Sequence, residues 1–262
     1  MILIISGHQR SGTTLLRQIC DSHPEISITN EFACFADVGH PYLHAMRARL
    51  AQWRLVNGRW VYDSAQIKNP RKHWANLSFT FEYLGRLAKN FTGELTISAV
   101  AQALKRQFPQ AKFVGDKWPQ YMPLLPNFVQ EDQVKIVVIY RDCRDVTSSF
   151  LEKVRTEWQT RPWAADVDTA AKIARKWVDK IDIMEKILEQ INIIQYESLI
   201  KEQEQVLAAL GIWLGVDPAG FRWPKLNPTS IGKYQQGLTQ AELAEVWSEA
   251  AETMLRLGYG SQ

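Results

Sequence analysis

The chain has 262 residues, which is enough for one large domain with a substantial buried core. Its hydrophobic fraction of 46% and its charged fraction of 23% are ordinary for a soluble globular protein. The formal net charge is only +3, which argues against a nucleic-acid partner and fits a protein with one local anion-binding site.

Strand and helix patterns alternate from the N-terminus onward. The apolar run Ile2-Leu3-Ile4-Ile5 predicts a strand buried on both faces, as in a parallel sheet. After a loop with two glycines, a helix with apolar residues at helical spacing ends near Pro24, because a proline disfavours helix at the preceding residue. A short second strand follows at 26–28, and residues 39–110 have a mostly helical and irregular pattern.

The second half of the chain repeats this alternation. Strands are predicted at 111–115, 134–140 and 191–195, helices at 145–157, 168–190, 199–214 and 241–257, and a packed arm at 217–237. We therefore predict an α/β fold, a P-loop-containing three-layer α/β/α sandwich around a mainly parallel sheet. Residues 1–262 are predicted to form a single domain, in which about 33–110 are a mostly helical insertion that covers the site.

The cysteine pattern bears on the compartment. Cys20, Cys34 and Cys143 are odd in number and have no CxxC or zinc-ligand spacing, so we expect free thiols in a reducing compartment. Residues 1–6 are too short for a signal peptide or a membrane span. The sequence thus predicts a cytoplasmic protein without a membrane partner.

The loop after the first strand has the spacing of an anion-binding loop. Gly7 and Gly12 keep the G-x-x-x-x-G spacing between a strand and a helix N-terminus, where backbone N–H groups and the helix dipole favour an anion. The next residues are Thr13 and Thr14, whereas a nucleotide triphosphatase requires Lys and then Ser or Thr for the phosphates and magnesium. The cation is instead Arg10, inside the loop. This pattern predicts a site for one 5′ phosphate with a group attached, and no metal.

The stretch Arg10-Ser11-Gly12-Thr13-Thr14 resembles the loop of the sulfotransferase superfamily, which uses 3′-phosphoadenosine 5′-phosphosulfate (PAPS). The resemblance implies an enzyme that transfers a sulfuryl group from PAPS and releases adenosine 3′,5′-bisphosphate (PAP). It also implies that the loop residues bind the cofactor, namely Gly7, His8, Gln9, Arg10, Ser11, Gly12, Thr13 and Thr14. A chance glycine turn is the alternative.

A second cofactor anchor is implied by the same resemblance. The family places an Arg at the end of a later strand and a Ser eight residues on, and both hold the 3′ phosphate. Here Arg141 follows the strand at 134–140, and Ser149 lies eight residues later. Ligands of open α/β sheets bind outside the carboxyl ends of the strands, and an Arg offers phosphate a bidentate fork. The alternative is a solvated cluster of the charged residues Arg141, Asp142, Arg144 and Asp145.

Two later segments resemble family signatures more weakly. Tyr196, in Tyr-Glu-Ser-Leu, matches a stretch near the adenine, and Ser230 and Lys233 match the arm that closes over the cofactor phosphates. Their alternatives are an ordinary strand-to-helix turn and an ordinary basic loop.

Sulfuryl transfer requires charge stabilisation and a base for the acceptor proton. Arg10 and Lys117 are the candidates for stabilising charge, since a Lys after the corresponding strand recurs in the family. The alternative for Lys117 is a surface turn residue.

The candidate base separates branches of the family. Cytosolic small-molecule enzymes have a His two residues after that Lys, where this chain has Pro119. Tyrosylprotein sulfotransferases and their bacterial relatives use a Glu, in a pattern matched here without a gap by 10–15, by Asp21-Ser22-His23-Pro24 and by Glu31. The resemblance therefore makes Glu31 the general base, with His8 as the fallback. A purely salt-bridged role for Glu31 is the alternative.

We thus expect a PAPS-dependent sulfotransferase of the tyrosylprotein and bacterial branch, acting on a small-molecule alcohol or phenol. A peptide tyrosine is the alternative acceptor. A P-loop nucleotide kinase and a non-catalytic binding module are more distant alternatives.

Overall fold

The computed structural model describes residues 1–56, 58–62, 77–90, 93–226 and 228–260. Seven strands occur in these residues: β1 (Ile2–Gly7), β2 (Ile26–Asn30), β3 (Trp53–Val56), β4 (Arg59–Tyr62), β5 (Phe113–Lys117), β6 (Val134–Tyr140) and β7 (Asn192–Gln195). The helices are α1 (Thr13–Ser22), α2 (Tyr42–Leu50), α3 (Leu77–Leu87), α4 (Ile97–Gln107), α5 (Leu125–Phe128), α6 (Cys143–Thr156), α7 (Ala170–Lys186), α8 (Tyr196–Lys201), α9 (Gln203–Leu214), α10 (Tyr234–Gly237) and α11 (Gln240–Arg256).

Five of the strands form one sheet in the order β2-β5-β1-β6-β7, and β3 pairs with β4 as an antiparallel hairpin. The sheet is mainly parallel and is flanked by helices, which confirms the predicted α/β class. The chain also divides into two compact units. The first unit comprises Met1–Ile5, Thr14–Ile136 and Gly220–Arg222, and the second comprises Ser6–Thr13, Val137–Ala219 and the described residues from Trp223 onward. The single-domain organisation stays a prediction.

In the first unit, β5 is the central strand of a parallel trio. It pairs with β1 from Ile2 opposite Val114, and with β2 from Ile26 opposite Phe113. A side chain at Gly115 would place its Cβ 1.7 Å from the carbonyl oxygen of Leu3, so this position requires glycine. The three strands are buried throughout, as expected of a parallel sheet covered on both faces.

In the second unit, β6 and β7 are parallel, and Tyr140 lies opposite Gln195 at their carboxyl ends. Helix α7 packs on α6 and α11, and its fully buried Trp177 donates a hydrogen bond of 3.0 Å to the carbonyl oxygen of Arg141. Helix α11 begins with a capping box between Thr239 and Glu242, which satisfies donors of its first turn.

Two segments differ from the sequence pattern. The helix predicted at 199–214 is two helices, α8 and α9, because the chain leaves helical geometry at Glu202, whose φ is −124° and ψ is 41°. The insertion at 33–110 contains the β3–β4 hairpin besides its helices, which the helical and irregular pattern did not predict. Residues 57, 63–76 and 91–92 of this insertion lie outside the described residues.

Candidate active site

The loop between β1 and α1 is built by close backbone approach in the second unit. The φ of Gly7 is 147°, and a Cβ there would lie 2.1 Å from the carbonyl oxygen of Ile139. The φ of Gly12 is 93°, and a Cβ there would lie 2.5 Å from the ring of Tyr196. Both positions therefore exclude a side chain on conformational and on steric grounds. The residues from 7 to 14 are called the phosphate loop below.

Arg10 connects this loop to the predicted second anchor. Its φ of 71° is left-handed, and its Nε donates a hydrogen bond of 2.9 Å to Ser149 Oγ on α6. Its carbonyl oxygen accepts a hydrogen bond of 3.3 Å from Arg141. Three residues predicted to hold the two cofactor phosphates thus lie together in this unit. We call Arg10, Ser11, Arg141 and Ser149 the anion cluster.

Arg141 is held by groups on several elements. Its guanidinium lies 4.5 Å from the centre of the Tyr196 ring at the start of α8, and 3.1 Å from the carboxylate of Asp145. It also donates to the carbonyl oxygen of Ser230. Arg141 and Tyr196 follow the paired ends of β6 and β7, which explains how residues distant in sequence meet.

Asp145 is a site residue that the sequence reasoning missed. Besides Arg141, it accepts hydrogen bonds of 2.9 Å from the backbone N–H of Gly232 and 3.0 Å from that of Tyr234. Asp145 thereby links Arg141 to the segment that contains Ser230. Lys233 of the same segment is exposed. The repeated Arg-Asp spacing in Arg141-Asp142-Cys143-Arg144-Asp145 is the signal that could have identified it.

The alternative of a solvated charge cluster at the start of α6 is wrong. The exposed fractions of Arg141, Asp142, Arg144 and Asp145 are 6%, 6%, 5% and 1%. Asp142 caps α6 and pairs with Arg144 at 2.7 Å, and Glu197 accepts a hydrogen bond from the Asp142 backbone. Buried charges need partners, and these four residues pair with one another, Arg141 with Asp145 and Arg144 with Asp142.

In the first unit, two predicted catalytic residues form an ion pair. Lys117 is the last residue of β5, and Glu31 directly follows β2, whose Asn30 lies opposite Lys117. The Lys117 Nζ is 2.6 Å from Glu31 Oε1 and 3.1 Å from Thr14 Oγ1. The side chain of Lys117 is 0% exposed and that of Glu31 is 31% exposed. The alternative of a surface turn residue is therefore wrong for Lys117.

Buried Asp116 shapes the backbone that carries Glu31. Its carboxylate accepts hydrogen bonds from Thr29 and Tyr121 side chains, at 2.6 and 2.7 Å, and from the backbone N–H groups of Phe32 and Ala33. Glu31 has a φ of 58°, and its N–H donates to the Lys117 carbonyl oxygen at 2.7 Å. Asp116 is thus a second residue that sequence reasoning missed, since its four donors are 5 to 87 residues away in the chain.

Burial shifts the pKa of several of these groups. It lowers the pKa of Lys117, while the neighbouring Glu31 carboxylate acts in the opposite direction. Burial also lowers the pKa of Arg10. His8 in the loop has its pKa lowered to about 3 by burial and by the charge of Lys180. His8 is therefore neutral at physiological pH, and its ring donates from Nδ1 to the carbonyl oxygen of Gln9 at 2.7 Å.

Comparison with known proteins decides the family. A sequence profile described as "Sulfotransferase family" matches residues 3–219. The chain belongs to the sulfotransferase family. No curated protein sequence matches it significantly.

Solved sulfotransferase structures have the same fold as this sulfotransferase. The sulfotransferase domain from the curacin biosynthetic pathway matches with a TM-score of 0.62 and 19% identity over 100% of this chain and 98% of that one. The sulfotransferase domain of the Synechococcus PCC 7002 olefin synthase matches with a TM-score of 0.53 and 18% identity over 100% and 95%. Mouse sulfotransferase SULT7A1, in a complex with PAP, matches with a TM-score of 0.52 and 15% identity over 97% and 84%.

The cysteines, the helices and the clusters of metal-binding side chains bear on the expected compartment, membrane contact and metal content of the sulfotransferase. The free cysteines Cys20, Cys34 and Cys143 are all buried. No helix in the described part of the chain has the length and hydropathy needed to cross a membrane. Among the same residues, no group of three or more His, Cys, Asp or Glu side chains is arranged to hold a metal ion. The cytoplasmic location stays a prediction.

Proposed function

We propose that this sulfotransferase uses PAPS as its donor and sulfates the hydroxyl group of a small-molecule alcohol or phenol. Two buried donors of the anion cluster carry the proposal, since Ser11 Oγ and Arg141 Nε have no hydrogen-bond partner within the described chain. Leaving such donors unsatisfied is costly, and phosphate oxygens accept hydrogen bonds from both. The donor set therefore fits a ligand with phosphate groups.

PAPS supplies the sulfuryl group when bound, and PAP is the product. In this proposal Arg10 and the loop N–H groups bind the 5′ phosphate, at the N-terminus of α1. Arg141 and Ser149 bind the 3′ phosphate, and Tyr196 lies against the Arg141 guanidinium. The complex of mouse SULT7A1 with PAP supports this choice of ligand. Thr13, where a kinase loop has its Lys, supports it over a nucleotide triphosphate.

Glu31 is the proposed general base. Its carboxylate is partly exposed and can accept the acceptor's proton, while buried Lys117 orients it through the 2.6 Å ion pair. Lys117 and Arg10 are proposed to stabilise the negative charge that develops during transfer.

Aromatic rings in the second unit support a flat or aromatic acceptor. Successive ring centroids are 5.9 Å apart from His8 to Phe150, 5.3 Å from Phe150 to Trp158, and 5.2 Å from Trp158 to Trp163. Trp163 is 44% exposed, so this run extends from the loop to the surface. Aromatic lining is common in sites for small organic ligands.

The donor is tested by ligand-induced thermal stabilisation. We expect PAP to raise the melting temperature in a concentration-dependent way, and ATP with magnesium to leave it unchanged. Stabilisation by ATP with magnesium and none by PAP would assign the loop to a nucleotide triphosphate and overturn the proposal. Incubation with labelled PAPS and a panel of phenols, alcohols, amines and tyrosine peptides then identifies the acceptor. Labelling of peptides alone would overturn the small-molecule assignment.

The base is tested by the substitution Glu31→Gln. We expect kcat to fall by about 100- to 10,000-fold, the usual contribution of a general base, with unchanged PAP affinity. Glu25→Gln, at a partly exposed position before β2, is the charge-matched control and should keep wild-type turnover. Near-normal turnover of Glu31→Gln would leave Glu31 with a structural role only.

A further inference from the structure

Lys180 on α7 contacts the phosphate loop directly. Its Nζ donates a hydrogen bond of 2.6 Å to Gln9 Oε1, although the two residues are 171 positions apart in the chain. The Gln9 carbonyl oxygen accepts from the His8 ring at 2.7 Å. Gln9 is therefore held at its side chain by α7 and at its backbone by its neighbour in the loop.

The Lys180 ammonium has no counter-charge in the described structure. No carboxylate oxygen of the described residues lies within 4.0 Å of it. The charged group that acts on it is Lys176, exposed one turn earlier on α7. The titratable group facing it from the loop is His8, whose ring is neutral at physiological pH and therefore neither repels nor compensates the ammonium charge.

Other basic residues of the same helix are paired differently. Lys172 lies 2.8 Å from the carboxylate of Asp168, and Arg175 pairs with Glu249 on α11. Lys176, Lys180 and Lys186 have no carboxylate within 4.0 Å among the described residues, and of these three Lys180 is the one that hydrogen-bonds to the phosphate loop. Lys180 is partly buried, and partial burial of an uncompensated ammonium is unfavourable, so an anion bound nearby relieves that cost.

We propose that Lys180 is a positioning residue of the cofactor site, which fixes Gln9 in the phosphate loop and takes the bound anion as its counter-charge. The proposal rests on the proposed function, because PAP is the anion considered. Lys180 acts through Gln9 and through its charge, and it has no part in proton transfer to or from the acceptor.

A consequence for pH follows from the state of the free protein. Burial and Lys176 lower the pKa of Lys180 to about 8. A bound anion stabilises the charged form and raises this pKa, so binding above pH 8 is coupled to uptake of a proton. We therefore expect the affinity for PAP to be highest below about pH 8 and to decrease above it.

The experiment is calorimetric titration of PAP into the wild type and three variants over a series of pH values. At neutral pH, Lys180→Met should bind PAP about tenfold more weakly, and its kcat at saturating PAPS should be unchanged. Lys180→Arg should keep the affinity and lose the decrease above pH 8, because a guanidinium stays charged there. Lys172→Met, which removes an exposed charge from the same helix, should match the wild type in PAP affinity and in its pH dependence.

The outcomes separate this proposal from the proposed function. If the wild type does not bind PAP, the donor assignment fails and the role of Lys180 fails with it. If the wild type binds PAP and Lys180→Met binds it equally well, only the role of Lys180 is overturned. Should Lys180→Met not fold, the comparison of the wild type with Lys180→Arg decides, since an identical pH dependence of the two contradicts the proposal.

Discussion

At the scale of single residues, left-handed backbone marks parts of the candidate site. Arg10, Glu31 and Ala33 are the non-glycine residues with positive φ in the described chain, at 71°, 58° and 57°. This conformation costs about 1 kcal/mol per residue, so surrounding contacts must maintain it. For Glu31 and Ala33 those contacts are backbone hydrogen bonds to the Lys117 carbonyl oxygen and to Asp116.

Replacing Ala33 by glycine should remove this strain. We expect Ala33→Gly to be neutral or to raise the free energy of unfolding by up to about 1 kcal/mol, because glycine adopts positive φ without a steric cost. Ala36→Gly is the control, in the short 3-10 segment that directly follows Ala33, where glycine should destabilise. Equal destabilisation of the two variants in urea unfolding would contradict the strained backbone at Ala33.

Asp116 should matter for both stability and turnover. In Asp116→Asn, an amide group would face donors now paired with a carboxylate oxygen, and each buried donor left unsatisfied costs about 1–3 kcal/mol. We expect a lower free energy of unfolding and a lower kcat, since the 31–33 backbone loses its support. PAP affinity should change little, because the anion cluster uses other residues. Asp132→Asn, at an exposed position of the same unit, should behave as wild type in unfolding and kinetic assays.

At the scale of elements, the sequence best predicts the strands and helices that a local pattern of apolar residues determines. The strand starting at Ile2, the strand at 134–140 and the long helices α7 and α11 follow from apolar runs and helical spacing. The break at Glu202 does not, because no proline or glycine marks it, and tertiary contacts decide such a segment. The β3–β4 hairpin does have a local signal, since Asn57-Gly58 stands between two short apolar-rich runs, and the helical and irregular assignment of 39–110 missed it.

The same distinction applies to the candidate site. The residues of the phosphate loop are contiguous, so their motif is visible in the sequence, as is the eight-residue spacing of Arg141 and Ser149. Asp116 and Lys180 act on backbone or side chains that are distant in sequence. Their roles depend on strand register and helix packing, which no local spacing encodes. The family motif therefore located the phosphate loop but assigned no role to Asp116 or Lys180.

The phosphate loop gives a test of element geometry at its glycines. In Gly12→Ala the new Cβ would overlap the Tyr196 ring at 2.5 Å, besides adopting an unfavourable φ of 93°. We expect PAP binding to be lost, because the loop must move to relieve the overlap. Gly232→Ala has a similarly positive φ of 76° but no atom within 4 Å, so it isolates the conformational cost. Equal PAP affinities of the two variants would exclude a steric role for Gly12.

At the scale of the whole molecule, buried titratable groups link stability to pH. Burial lowers the pKa of His8 to about 3, compared with 6.5 in its ordinary state. Between these values the unfolded chain binds a proton at His8 that the folded protein does not bind. The contribution of His8 to the free energy of unfolding therefore rises with pH across this window. Buried Asp116 and Glu197 have raised pKa values and contribute in the opposite direction.

Comparison of the wild type with His8→Gln isolates this contribution, because the buried carboxylates are common to both proteins. We expect the stability of the wild type relative to the variant to increase with pH, with a slope approaching about 1.4 kcal/mol per pH unit. Above the ordinary pKa of 6.5 the difference should become constant, since His8 is then neutral in both states. Urea unfolding at several pH values measures the slope, and parallel curves for the wild type and His8→Gln would mean that His8 takes up its proton equally in the folded and unfolded states.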